Sequence, residues 1–117
     1  MTTEELYLKI GGNYKEALSR LMNEAFIKRM LGKFVETDYL APILEGYKEE
    51  NIRKVFEGSH ALKGVAGNLS FTALFEASST LTELTRSGEN KAVDKEVKNL
   101  AEVYKTTVDS IKEFLNQ

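Results

Sequence analysis

The only histidine of this chain, His60, stands in Ser59-His60-Ala61-Leu62-Lys63-Gly64-Val65-Ala66-Gly67-Asn68-Leu69, a stretch whose residue types and spacing suit chemistry. On an α-helix His60, Lys63, Gly64 and Gly67 fall at i, i+3, i+4 and i+7, so an imidazole, an ammonium and two bare backbone positions share one face. Leu62, Ala66 and Leu69 fall on a different face, at about 100° per residue. The pattern describes a helix buried on one side and chemically equipped on the other.

A neutral imidazole is a good nucleophile near neutral pH, because its ordinary pKa is about 6.5. Attack on phosphorus yields a phosphoramidate, and the ammonium of Lys63 is placed to offset charge on the phosphoryl oxygens during transfer. An imidazole that is already neutral needs no general base. The remaining parts, a carboxylate phosphodonor and Mg²⁺, have to come from a partner, since the chain has no residue cluster that would supply them. Gly58, Gly64 and Gly67 each cost about 0.5–1 kcal/mol relative to alanine inside a helix. Close approach of another surface to His60 accounts for them; tight packing inside the domain is the competing reading, strongest for Gly58. Phe56, at i−4, lies at the edge of the same face and is a candidate for hydrophobic docking, with a core role the alternative. Arg53 and Glu57 read as solvated charges.

His60-Ala61-Leu62-Lys63-Gly64-Val65-Ala66-Gly67-Asn68-Leu69 closely resembles the signature of the histidine phosphotransfer (HPt) domains of two-component phosphorelays. That signature has a histidine, a lysine three on, a glycine four on and a small residue seven on, followed by Asn-Leu or a similar pair. The resemblance implies that His60 is the phosphoacceptor and that Lys63 stabilises the phosphoryl group. It also implies that Gly64, Gly67 and Asn68 belong to the surface met by a receiver domain. Expected partners are therefore response-regulator receiver domains and a hybrid histidine kinase, with no cofactor bound by this chain and Mg²⁺ on the receiver. The chain departs from the pattern at Ser59, where many members have alanine, and at Ser70, near which many have glycine.

Three other functions compete. Glu57-Gly58-Ser59-His60 is formally a Glu-x-x-His, but di-iron bundles need two such motifs and two further glutamates. One histidine cannot supply them. An autonomous kinase is disfavoured because neither a nucleotide-binding glycine-rich loop nor a Walker-type lysine is present, and Gly11-Gly12-Asn13 reads as a turn. The remaining alternative is a helical module that binds a receiver or another signalling protein without transferring phosphate.

The elements that must position His60 are all helical. Residues 1–117 read as one domain, with 42% hydrophobic and 29% charged residues, one proline and no cysteine. A net charge of −2 gives no general attraction to nucleic acid or anionic membrane. No run is apolar enough to span a bilayer and no signal-peptide pattern is seen, so a cytoplasmic monomer is expected. Thr2 and Glu5 form a capping box for a short first helix that stops at Gly11-Gly12. Asn13 caps the next segment, where Leu18, Leu21, Met22, Ala25, Phe26, Met30, Leu31 and Phe34 make an apolar stripe. One long helix from Asn13 to Tyr47, bent near Thr37 to Pro42, is the expectation. Asn51 caps the His60 helix, whose buried side is Ile52, Val55, Ser59, Leu62, Ala66 and Leu69. Thr72 caps the next helix, carrying Leu74, Ala77, Ser78, Leu81 and Leu84 and ending at Gly88. Beyond a connection at Glu89-Asn90 the last helix has Val93, Val97, Leu100, Tyr104, Val108, Ile111 and Leu115 near heptad spacing. Short connections between long amphipathic helices predict an all-α, antiparallel up-down-up-down four-helix bundle with an added N-terminal helix.

Overall fold

Local capping chemistry sets where the helices start. In a computed structural model that describes residues 1–89 and 92–117, seven α-helices are found: α1 (Thr3–Lys9), α2 (Tyr14–Leu21), α3 (Glu24–Glu36), α4 (Ala41–Lys48), α5 (Ile52–Asn68), α6 (Thr72–Thr85) and α7 (Asp94–Leu115). The capping box at Thr2 and Glu5 is formed in both directions. Asn13 accepts from the Glu16 amide and Asn51 from the Lys54 amide, each satisfying a donor that the helix start leaves unpaired. These caps match expectation.

The long helix expected from Asn13 to Tyr47 does not exist. Two breaks divide it into α2, α3 and α4. At the first, Met22 takes a left-handed backbone (φ 75°), and Asn23, extended at φ −150° and ψ 159°, accepts from the Phe26 amide. A residue that reads as mid-helix polar is thus an N-cap. The phase of the stripe restarts there, so Met22 and Ala25 point to solvent while Ala17 and Ile27 are buried. At the second break Thr37 is extended, and the Asp38 carboxylate accepts from the amides of Leu40 and Ala41, with Pro42 in the first turn of α4. The hydroxyl of Tyr104 fastens this loop to α7 by accepting from the Tyr39 amide at 3.0 Å and donating to the Thr37 carbonyl.

Two smaller corrections follow. Thr72 is not a cap: Phe71 holds that position without a side-chain bond, and the Ala73 amide is satisfied by the Gly11 carbonyl at 3.0 Å. On α7 the buried stripe ends with Ile111 and Phe114, and Leu115 is exposed, because a straight helix drifts away from a heptad repeat. The turn after α6 does use Gly88, at φ 75°. Of the expected Glu89-Asn90 connection, residue 90 lies outside the described residues.

Site helix α5 packs on α4 and α6, while α7 packs on α6, α3 and α1. Under the C-terminal end of α5 lies an aromatic cluster: Phe71, fully buried, has its ring centroid 5.2 Å from Phe34 and 5.7 Å from Tyr7. The buried hydroxyl of Tyr7 donates to the Leu69 carbonyl at 2.9 Å and, by that burial, is held far above its usual range of ionisation. So α1 fixes the end of the site helix directly.

Close packing of α5 on α4 depends on small residues at the crossing. A Cβ on Gly58 would lie 2.8 Å from Ile43 Cγ1, and one on Gly46 would lie 2.9 Å from Lys54 and the Val55 nitrogen. Gly58 is therefore explained by helix packing and not by an approaching partner. Gly58→Leu should lower stability by about 1–3 kcal/mol through overpacking, read as a reduced urea midpoint. An unchanged midpoint would mean the α4–α5 contact is looser than described.

Candidate functional site

The face of α5 that carries His60 is fixed by the face that does not. Val55, Ser59, Leu62 and Ala66 are fully buried along the inner side, and Ser59 Oγ lies 3.1 Å from Thr82 Oγ1 of α6. Ser59 also donates to the Phe56 carbonyl. Sealing these positions turns His60 and Gly64 to solvent, with Lys63, Gly67 and Phe56 half-buried beside them and Asn68 exposed at the end.

Aromatic rings frame the site. The imidazole of His60 stacks on Phe56 at 5.6 Å between centroids and 13° between planes. The guanidinium of Arg86, the residue that caps the C-terminal end of α6, sits 5.4 Å from the same phenyl ring and is bound to Glu83 at 2.9 Å. That bond, followed by the Arg86 charge, holds the Glu83 carboxyl below its ordinary range, and the charge of Lys63 acts in the same direction. Lys63 Nζ lies 5.9 Å above the ring of Phe75, a weak cation–π contact at an exposed site. Among the described residues neither His60 nor Lys63 is hydrogen-bonded or ion-paired through its side chain. Both retain their polar valences for an incoming group.

His60, Lys63, Gly64, Gly67, Asn68, Phe75 and Arg20 together line one open depression of about 440 Å³. The four residues predicted from spacing, and Asn68, which the family resemblance adds, are thus brought together, and Phe56 flanks them through its stack with His60. The two glycines differ in kind. A Cβ on Gly64 would meet nothing within 4 Å, whereas one on Gly67 would meet the Phe75 ring at 3.1 Å. Internal packing thus accounts for Gly67, and open space lies only above Gly64.

Sequence reasoning missed Arg20, Phe75 and Arg86. Phe75 lies on α6 and Arg86 caps its C-terminal end, and both reach the site through the pairing of α5 with α6, for which no local spacing gives a signal. Arg20 sits on α2 and donates through Nη1 to the carbonyl of Gly67 at 3.0 Å, the carbonyl of Asn68 at 3.3 Å and Ser70 Oγ at 2.7 Å.

Every regular element among the described residues is an α-helix, and the middle of α5 turns the lone histidine and a neighbouring lysine outward. The family model described as the Hpt domain matches residues 16–114, and the chain belongs to that family. No curated protein and no solved structure matches it.

The two glycines should respond unequally to alanine. Gly64→Ala fills open space and removes backbone entropy from the unfolded chain, so it should stabilise by about 0.5–1 kcal/mol. Gly67→Ala has to displace Phe75 and should gain less or lose stability. Equal shifts in the denaturation midpoint of the two variants would contradict this assignment.

Proposed function

We propose that this chain is a phosphorelay intermediate: His60 accepts a phosphoryl group from the aspartyl phosphate of a receiver domain and passes it to another receiver. The observation that carries the reading is the pair His60 and Lys63, unpaired and outward-facing beside the open space above Gly64, in a chain of the Hpt family. A ring nitrogen of neutral His60 attacks phosphorus, an N–P bond forms, and the aspartate leaves as a carboxylate when the P–O bond breaks. Lys63 Nζ follows the oxygens of the moving phosphoryl group and offsets their charge. Phe56 limits the imidazole to an orientation flat against its ring, so the attacking nitrogen is presented at the edge of the stack. Mg²⁺ held by the receiver would supply further charge compensation, and this chain contributes no ligand to it.

The open space over Gly64 supports docking of receiver loops near His60, and exposed Asn68 extends that surface. Phe56 and Phe75 give it an apolar rim. We take α3, α5, α6 and α7 as an antiparallel up-down-up-down bundle, with α3 in the place of the single helix expected from Asn13 to Tyr47 and with the pairwise packing of α5 with α6, α6 with α7 and α7 with α3 in support. The proposal includes a cytoplasmic monomer working with response regulators or a hybrid kinase. No helix among the described residues is long and apolar enough to cross a membrane.

Incubation with a radiolabelled, phosphorylated receiver tests the proposal. Wild type should acquire acid-labile label and His60→Gln should acquire none. Lys63→Ala should stay folded, within about 0.5 kcal/mol of wild type as expected of a surface substitution, yet take up label about tenfold more slowly or worse. Receiver binding with no label on wild type would instead favour a module that only docks.

A further inference from the structure

The end of the site helix is built differently from its middle. Gly64 and Gly67 weaken the last two turns of α5, and no glycine closes it: Ser70, only 2% exposed, takes the left-handed backbone at φ 59°. A non-glycine residue in that region costs of order 1–3 kcal/mol and persists where its surroundings demand it. Here the demand is specific. Ser70 Oγ accepts from Arg20 Nη1 at 2.7 Å and donates to Glu16 Oε1 at 2.9 Å, while Arg20 Nη2 lies 3.3 Å from the same carboxylate oxygen. Through Nη1 the guanidinium also reaches the carbonyl of Gly67, which already accepts from the Ser70 amide at 3.2 Å, and the carbonyl of Asn68. A cation at a helix C-terminus is favourable in its own right.

We infer that Arg20 and Ser70, joined through Glu16, are positioning residues for receiver docking: they hold the last turn of α5, and with it Gly64, Gly67 and Asn68, in the register that the receiver meets. The inference rests on the phosphotransfer reading above. Arg20 and Glu16 are about half exposed, and surface ion pairs contribute little to global stability. The value of the network is therefore local. His60 and Lys63 lie in the middle of α5, secured by the buried Ser59 and Leu62, so loosening the end should weaken docking and leave the chemical step intact.

Ser70→Gly separates the two roles, because glycine relieves the left-handed strain while removing the hydroxyl that ties residue 70 to both Arg20 and Glu16. The melting temperature of Ser70→Gly should equal or exceed that of wild type. Its KM for a receiver domain charged with a small acyl phosphate should rise about tenfold, the equivalent of about 1.4 kcal/mol, with the maximal transfer rate within about twofold of wild type. Arg20→Gln should behave alike, Arg20→Lys should recover part of the loss, and amide exchange at Gly67 to Phe71 should quicken in both deficient variants. Wild-type KM and exchange in Ser70→Gly, or a lower maximal rate at unchanged KM, would overturn the inference while leaving the phosphotransfer reading in place. Should Arg20→Gln fail to fold, Ser70→Gly decides alone. A wild type that takes up no phosphoryl group overturns both.

Discussion

A helix that offers a histidine to another protein has to be held by everything except the face that carries it. Under the proposed phosphotransfer role that constraint falls on α5, which packs on α4 and α6. Val55, Leu62 and Ala66 are removed from water completely. Full burial of a valine or leucine contributes about 1.5–3 kcal/mol, which outweighs the roughly 0.5–1 kcal/mol lost at each of Gly58, Gly64 and Gly67. The helix can therefore carry glycines that its own propensity would reject. Two of them repay part of that cost by letting Ile43 and Phe75 approach, and only Gly64 is left facing open space.

The chemistry of the outer face follows from what is withheld as much as from what is present. His60 and Lys63 make no side-chain hydrogen bond or ion pair among the described residues, while nearby Arg86 is tied to Glu83 and Arg20 to Glu16. Stacking on Phe56 restrains the imidazole without occupying either nitrogen. Phe75 does the same for the ammonium of Lys63, whose cation–π contact leaves its protons available. An apolar frame orients both groups and leaves their polar atoms unoccupied among the described residues.

How much of this was legible in the sequence depended on range. The caps at Thr2, Asn13 and Asn51 act over three residues, and each could be read directly from its neighbours. So could the two faces of α5, since a 3.6-residue period is a local property. The division of the segment from Asn13 to Tyr47 was not legible, because the apolar stripe continues across Asn23 and polar asparagines occur on exposed helical faces as well as at caps. Only the left-handed Met22 shows where the chain turns. Gly58 was assigned to a partner's approach when it belongs to the crossing with α4, since a missing side chain looks the same whichever surface fills the space. Arg20, Phe75 and Arg86 lay beyond reach for the same reason: each meets the site through contacts between helices that no spacing within one helix encodes.

The central claim, that the exposed imidazole of His60 is the atom group that carries phosphate, is tested most directly by phosphorus NMR of the intact chain after exposure to a phosphorylated receiver with Mg²⁺. A phosphoramidate resonance coupled to a ring nitrogen of ¹⁵N-labelled His60 is the predicted result. A phosphate ester on a serine, threonine or tyrosine, or no phosphorus signal on a chain that demonstrably binds the receiver, would contradict it.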